Sequence, residues 1–340
     1  MQGIYNFIYQ LLTPIEWVLA WVMNIFHWVF VNVFRMPEVG ASWILAVIFL
    51  TIFVQACIFP VFYKQMKSMR KMQAIQPQMM RIQNKYKGKN DPASREAMSR
   101  ETMKLYQDNK VNPMGSCAPS LVQMFVFMSL YYVLMVVGQI SSGVRKEAFG
   151  PITLDVAHQF EQSSFFGLKL SQSFFGASLG SFVQSTPANT VGKVILVVCI
   201  AYMCFSLFYM QFYSIRRNTP TAMQGTQQMK MQQSMMYIFP IMYIFSGATL
   251  PFAFLLYWMT NNTCNMLRTI WQVRHFPTPG SPAAEVKKVR DHDRENARRA
   301  KAGEPSLEEE AIVKAKEEAE HRAKTSYQRE QPKRKRKSKK

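Results

Sequence analysis

The chain has 340 residues, of which 49% are hydrophobic, and its formal net charge is +20. Long uncharged blocks alternate with strongly charged ones, so the mean hydropathy of −0.08 conceals segments that could enter a bilayer. Zinc-type His/Glu spacings, phosphate-binding glycine loops, nucleophile elbows, paired acidic motifs and a disulfide framework are all missing from the sequence. We therefore expect no enzyme activity, no metal site and no cofactor, and the charge favours anionic lipid or RNA as a partner.

Residues 1–40 are predicted to form an extracytoplasmic helix at the membrane interface. The apolar run at 17–34 holds three tryptophans and is interrupted by asparagine and histidine, a pattern typical of an interfacial helix. A true transmembrane span over 17–34 is the open alternative. Since no Lys or Arg precedes Arg35, the basic region of a signal peptide is missing.

Residues 41–63 are predicted to form transmembrane helix 1, because they contain a long uncharged stretch. Gln55 lies near its middle, and Thr51 lies one turn earlier on the same face. A polar side chain at membrane depth is costly, so Gln55 predicts a polar environment inside the bilayer. Thr51 has a simpler alternative, a hydrogen bond to its own helix backbone.

Residues 64–112 are predicted to form a basic cytoplasmic hairpin of two antiparallel helices, at about 65–87 and 92–109. The turn between them reads KGKNDP, with Gly88 as the stop and Asp91 before a proline as the restart. Methionines recur along the first helix, which is typical of an adaptable binding surface. A merely solvated hairpin is the alternative.

The rest of the chain continues the alternation, and a break at SGATLP divides its last apolar stretch into two short spans. The predicted segments are transmembrane helix 2 at 116–138, an extracytoplasmic loop at 139–191, transmembrane helix 3 at 192–213, a cytoplasmic loop at 214–232, transmembrane helices 4 and 5 at 233–247 and 250–270, and a basic cytoplasmic tail at 275–340.

Charge asymmetry predicts the orientation of these spans. The segments 64–112, 214–232 and 274–340 are strongly basic, whereas charges balance within 138–191. Five spans place all three basic segments on the cytoplasmic side, as the positive-inside rule requires. The predicted fold class is an all-α integral membrane protein with a core of five transmembrane helices, a cytoplasmic helical hairpin and a basic C-terminal tail.

Three separated blocks carry a resemblance to a known family. They read TIFVQACIFPVFYKQMKSMRKMQAIQPQM, KVNPMGSCAPSLVQMFVFMSLYYVL and IFPIMYIFSGATLPFAFLLYWMTNN, in this order. Together they resemble the YidC/Oxa-type membrane protein insertases, from about Trp43 to Phe276 except for the outer loop.

The resemblance implies a water-filled groove that opens to the cytoplasm and to lipid and is closed on the outer side. It implies that nascent membrane proteins are inserted and helped to fold through this groove, alone or with a Sec-type translocon and without a nucleotide. Implied partners are the substrates, the ribosome through the basic tail, the signal-recognition targeting machinery and anionic lipids. The implied location is the bacterial cell membrane, with several spans and a cytoplasmic C-terminus.

The resemblance also carries over residue roles. Substrate groove and slide contacts in the family fall on positions that here read Thr51, Gln55, Gln123, Met124, Phe127, Tyr257, Trp258 and Asn262. Plain packing is the alternative for the methionine and the three aromatic residues. Two departures matter: the family usually has arginine where this chain has Gln55, and often proline where it has Phe125. Replacement charges at the groove mouth would be Lys64, Lys67, Arg70 and Arg268.

Two other functions fit a polytopic membrane protein. A small-solute transporter predicts acidic residues inside the spans and inverted repeats, and the sequence shows neither in the predicted spans. A scaffold that only tethers ribosomes through its tail would need no groove, so groove residues separate it from an insertase.

Overall fold

The computed structural model describes residues 2–89, 91–111, 118–176, 185–223 and 225–326. These residues are mostly helical, with one two-stranded antiparallel hairpin, so the predicted all-α membrane fold class is confirmed. The elements are α1 (Gln2–Asn32), α2 (Ala41–Ala74), α3 (Gln76–Lys85), α4 (Pro92–Asp108), α5 (Ala118–Ser141), α6 (Leu154–Gln162), β1 (Ser164–Phe165), β2 (Leu168–Lys169), α7 (Thr190–Asn218), a 3₁₀ turn (Thr221–Met223), α8 (Gln227–Thr249), α9 (Phe252–His275), α10 (Pro282–Ala302) and α11 (Leu307–Ser326).

Helix α2 is the long central helix, and it packs against α1, α5 and α9. Its buried face is apolar at helical spacing, with Val47, Leu50, Val54 and Ile58 almost inaccessible to solvent. Ile52, on the opposite face, is exposed as expected for a side chain that meets lipid.

The prediction of one helix over 65–87 is wrong. Helix α2 continues through the basic run to Ala74, because Lys, Gln, Met and Arg all favour a helix. A new helix, α3, begins at Gln76 with Pro77 in its first turn. It pairs with α4, where the phenolic hydroxyl of Tyr86 donates a hydrogen bond of 2.9 Å to Glu101 Oε1.

Helix α1 packs against α2 and α5. The imidazole of His27 stacks on Trp43 near the start of α2, with ring centroids 3.8 Å apart. Farther back along α1, Trp17 lies so close to Gly150 that an added Cβ would be 3.0 Å from its Nε1. Gly150 belongs to the segment after α5. Helix α1 therefore contacts the start of α2 through His27 and the segment after α5 through Trp17.

The length and hydropathy of the helices do not decide the number of transmembrane spans, so the count of five stays a prediction. Among the described helices, four segments are long and apolar enough to cross a membrane: Leu12–Asn32, Ala41–Ala74, Leu121–Ser141 and Thr190–Asn218. The first includes most of the segment predicted to be interfacial, and α8 and α9 are not among the four. The interfacial and spanning alternatives for α1 therefore both stay open.

The segment between α5 and α7 is ordered where the structure describes it. Thr153 caps α6 by accepting from Val156 N. Beyond the β-hairpin, the carbonyl of Leu170 accepts a 2.8 Å hydrogen bond from Ala253 N in the first turn of α9. Main-chain groups of this segment thus satisfy N–H donors that a helix terminus leaves free.

The segment expected to start the C-terminal tail is partly packed. Thr278 and Ser281 are buried, and Thr278 N donates a 2.7 Å hydrogen bond to Asn218 Oδ1 at the end of α7. The chain divides after this segment into two compact units, Met1–Ala284 and Glu285–Lys340. In the second unit the main-chain N–H of Leu307 donates to Asn296 Oδ1 at 3.0 Å, which joins α10 to α11. The terminal run PKRKRKSKK lies outside the described residues.

Candidate functional site

A cluster of polar side chains joins three helices, near the middles of α2 and α9 and near the start of α5. Gln55 on α2 donates through Nε2 to Gln123 Oε1 on α5 at 3.1 Å, and also to Asn261 Oδ1 on α9. Gln123 in turn donates through Nε2 to the hydroxyl of Tyr257 on α9 at 3.3 Å. We call Gln55, Gln123, Tyr257 and Asn261 the polar cluster.

The polar cluster is not fully satisfied. Gln55 is only 8% exposed, and its Oε1 atom is buried and accepts no hydrogen bond from any described residue. An unpaired buried acceptor costs about 1–3 kcal/mol. The cluster therefore offers an acceptor for a donor that enters it, such as a water molecule or a peptide N–H.

Thr51 is buried one turn from Gln55, and its Oγ1 donates to Val47 O at 2.8 Å. This is the self-satisfied backbone bond that the sequence left open as the simpler alternative. The structure does not join Thr51 to the polar cluster through a hydrogen bond of its hydroxyl.

An aromatic group flanks the polar cluster. The ring of Phe127 on α5 meets Phe254, Trp258 and Tyr257 on α9, with centroids 4.9, 6.0 and 6.1 Å apart. Trp258 Nε1 donates to the hydroxyl of Tyr243 on α8 at 3.2 Å. Phe127 and Trp258 therefore make packing contacts between helices, the alternative that the sequence left open for them.

Met124 occupies a different surface. It is half exposed, as is Leu121, and Met128 follows one turn later on the same face of α5. Of the eight predicted groove and slide residues, these contacts unite Gln55, Gln123, Phe127, Tyr257 and Trp258, while Met124 faces outward. Asn262 is buried on α9.

Sequence reasoning missed Asn261. The family resemblance pointed to Asn262, which is four positions after Trp258, yet Asn261 is four positions after Tyr257 and reaches Gln55. The signal was present as the i,i+4 series Tyr257, Asn261 and Asn265 on one face of α9.

The four predicted mouth cations separate into two kinds. Arg268 is half-buried, with its guanidinium 3.4 Å from the Phe62 ring centroid on α2 and Nη2 donating to Asn265 Oδ1 at 2.6 Å. Lys67 and Arg70 lie over aromatic rings, at 4.6 Å from Tyr63 and 5.9 Å from Phe276. Lys64 is exposed on the same stretch of α2. Only Arg268 comes from the helix that carries the asparagines.

Comparison with known proteins identifies the class. Residues 34–278 match the family model described as 60Kd inner membrane protein. The chain is 55% identical over 337 residues to the membrane protein insertase YidC of Bifidobacterium longum, covering 99% of this chain and 97% of that one. It is 30% identical to the YidC of Tropheryma whipplei strain Twist, covering 85% of this chain and 91% of that one.

A solved structure is also similar. An active YidC insertase with its first transmembrane domain resolved matches 77% of this chain and 46% of its own length, with 19% identity and a TM-score of 0.42. The chain belongs to the 60Kd inner membrane protein family, and the two relatives named above match it over nearly all of their own length. It is accordingly a bacterial membrane protein.

Proposed function

We propose that this protein inserts nascent membrane proteins into the bilayer and helps them fold, alone or with a Sec-type translocon. The observation that carries the proposal is the polar cluster between α2, α5 and α9, in which Gln55 Oε1 has no partner among the described residues. A helix bundle with no polar task would not keep amides at this depth, where each costs free energy unless paired.

The mechanism follows from exchange of hydrogen bonds. A polar segment of a substrate that enters between α2, α5 and α9 finds amide donors and acceptors in place of hydrocarbon. Such partners remove most of the several kcal/mol that an unpaired polar group costs in lipid. The groove opens to the cytoplasm and to lipid when Gln123 and Asn261 give up their bonds to Gln55.

The apolar helix of the substrate leaves along α5. Leu121, Met124 and Met128 form an exposed stripe there, and methionine side chains adapt to many partners. Transfer of the substrate's apolar span from water to lipid supplies the driving force, so no nucleotide is needed.

In the orientation predicted from the charge asymmetry, the hairpin α3–α4, the loop between α7 and α8 and the tail lie in the cytoplasm. Their excess of Lys and Arg supports this assignment. Helix α1 then lies at the outer interface, which its contact with Gly150 supports. Val18, an exposed residue of α1, tests this: in a Val18→Cys variant, a membrane-impermeant maleimide should label from the outside, and labelling only from the cytoplasmic side contradicts the arrangement.

The tail serves as the ribosome contact, with hairpin α3–α4 receiving substrates or targeting factors. Its last nine residues, PKRKRKSKK, suit phosphates of rRNA or of anionic lipids. Removal of residues 327–340 should weaken co-sedimentation with ribosomes and reduce its dependence on salt. This truncation spares the buried Thr278 and Ser281, so the packed segment is kept.

Reconstitution tests the proposed function. Proteoliposomes that contain only this protein should insert a short single-span substrate, detected by protection of its far end from added protease. Liposomes without protein give the background. A folded preparation that inserts no more substrate than these liposomes contradicts the insertase assignment. If the protein inserts substrate but removal of residues 327–340 does not weaken ribosome co-sedimentation, only the proposed ribosome contact is contradicted.

A further inference from the structure

A cavity of about 610 Å³ lies between α7 and α8, at the ends that are joined by the 3₁₀ turn. It is separate from the polar cluster, and none of its lining residues belongs to the predicted groove. Its lining includes Phe212, Ile215, Arg216, Met229, Met236 and Tyr237, together with two uncharged polar side chains and a glycine.

The two helices approach closely at their other ends. A Cβ added at Gly247 on α8 would lie 2.8 Å from Ile200 Cγ1 on α7, so only glycine permits this contact. Nearer the cavity, large rings separate the helices, with the Phe208 and Tyr237 centroids 6.2 Å apart. This change from glycine to aromatic spacers opens the pair toward the loop.

The cavity combines one cation with an apolar floor. Met229 and Met236 are buried at 4% and 8% exposure. The guanidinium of Arg216 is exposed beside the Phe212 ring, 5.7 Å from its centroid. Within the described residues no carboxylate forms an ion pair with Arg216, and the sequence from 214 to 232 contains no Asp or Glu.

A ligand that matches this lining must present an anion next to hydrocarbon. Arginine binds phosphate through paired N–H donors, and methionine side chains accept flexible alkyl chains. In the proposed orientation this end of α7 and α8 lies at the headgroup layer of the cytoplasmic leaflet, where anionic lipids concentrate. A free phosphate or an RNA would leave the apolar floor without a partner.

We propose that the cavity binds one anionic phospholipid of the cytoplasmic leaflet, with its phosphate on Arg216 and the first part of an acyl chain against Ile215, Met229 and Met236. The depth of the site rests on the orientation in the proposed function. The bound lipid bridges the two helices where they separate, and it thereby stabilises their loop ends.

Lipid retention by the purified full-length protein tests the site. The protein is stripped of lipid in detergent, titrated with phosphatidylglycerol or phosphatidylcholine, and analysed by native mass spectrometry. Arg216→Gln is compared with Arg217→Gln, a neighbouring exposed arginine that does not line the cavity. Both variants lose one unit of charge, so general electrostatic attraction is matched.

We expect wild type to retain one phosphatidylglycerol more tightly than phosphatidylcholine. Arg216→Gln should weaken this retention roughly tenfold, the effect of losing one charge-assisted hydrogen bond, while Arg217→Gln and Arg216→Lys retain most of it. A melting temperature close to that of wild type shows that the glutamine variant is folded.

Three results would overturn the proposal: equal loss of lipid retention in both glutamine variants, no loss in Arg216→Gln, and full displacement of the lipid by millimolar inorganic phosphate. If retention is unchanged in Arg216→Gln while its ribosome binding is weakened, the residue is assigned to RNA. No substrate is present in the measurement, so a failure of the lipid site is distinguishable from a failure of insertion.

Discussion

The Nε2 atom of Gln55 donates to Gln123 Oε1 across the α2–α5 contact at 3.1 Å, while Gln55 Oε1 is buried and has no hydrogen-bond partner among the residues that the structure describes. One amide thus connects α2 to α5, and through Asn261 to α9, and still has an open acceptor. The resemblance led us to expect an arginine at this position, and the structure has a neutral amide there that can both donate and accept hydrogen bonds.

Energetic coupling between Gln55 and Asn261 is the first prediction. Gln55→Leu and Asn261→Leu should each destabilise the protein by about 1–3 kcal/mol, because each leaves a buried polar partner unpaired. The double variant should lose less than the sum, with a coupling of about 0.5–2 kcal/mol. Denaturation of all four proteins in the same detergent measures it.

Thr51→Val is the matched control for this cycle. It sits one turn away and loses only a bond to its own helix backbone, so it should show no coupling to Asn261→Leu. Additive losses for Gln55 and Asn261 would mean that their contact contributes nothing to stability.

The second prediction is the effect of introducing a positive charge at position 55. Gln55→Arg should increase insertion of substrates with acidic N-terminal tails roughly tenfold, since one opposite charge at close range contributes on the order of 1–4 kcal/mol in water-accessible protein. Insertion of substrates with neutral tails should not rise. The measurement is the same protease protection in proteoliposomes.

Gln55→Met controls for loss of the amide without gain of charge and should not favour acidic tails. If the arginine variant treats acidic and neutral tails alike, charge at this position does not limit insertion.

The third prediction is that the contact between α1 and Gly150 contributes to stability. Gly150→Ala should lower the melting temperature more than Gly143→Ala does. Both glycines have positive φ, +57° and +73°, so each alanine introduces about 1–2 kcal/mol of strain. Only at Gly150 does the new methyl group also meet Trp17, since nothing lies within 4 Å of the Cβ position at Gly143.

Labelling of the Val18→Cys variant reports where the effect acts. In the Gly150→Ala background the labelling rate should rise as α1 loosens, and in the Gly143→Ala background it should not. Equal melting temperatures for the two alanine variants would show that the Trp17 contact adds nothing to stability.

The fourth prediction concerns the pH dependence of the N-terminal cap of α4. Asp91 accepts a 2.8 Å hydrogen bond from Ser94 N, and its hydrogen bonds with Ser94 hold the pKa of the Asp91 carboxyl below its ordinary value of 3.8. A carboxyl with a lowered pKa stabilises the helix fully above that ordinary value and loses the effect as pH falls through the folded-state pKa. The first turn of α4 should therefore fray in acid.

Hydrogen exchange of the first turn of α4, corrected for intrinsic rates, measures this. Asp91→Ala should exchange several-fold faster at neutral pH, because the helix loses its cap. Asp91→Asn retains a capping oxygen and should stay protected at low pH. Acid fraying that is equal in wild type and Asp91→Asn would assign the effect to another group.

The sequence indicated where the polar cluster lies but not all of the residues that form it. Gln55 and Gln123 stood out because an amide inside an uncharged span is costly in lipid and requires a partner. Asn261 did not stand out from Asn262, because adjacent positions on a helix point about 100° apart and both are amides. Which of them reaches Gln55 depends on how α9 is rotated against α2, and that is a property of packing.

The same division holds for the whole fold. The helices α2, α5 and α7 followed from sequence, since a long uncharged segment in lipid must satisfy its backbone within itself, and the turn at Gly88 followed from its residues. The continuation of α2 to Ala74 and the burial of Thr278 against Asn218 did not follow. Polar and charged residues are compatible with helix, turn or tail alike, and only contacts with neighbouring segments select among these.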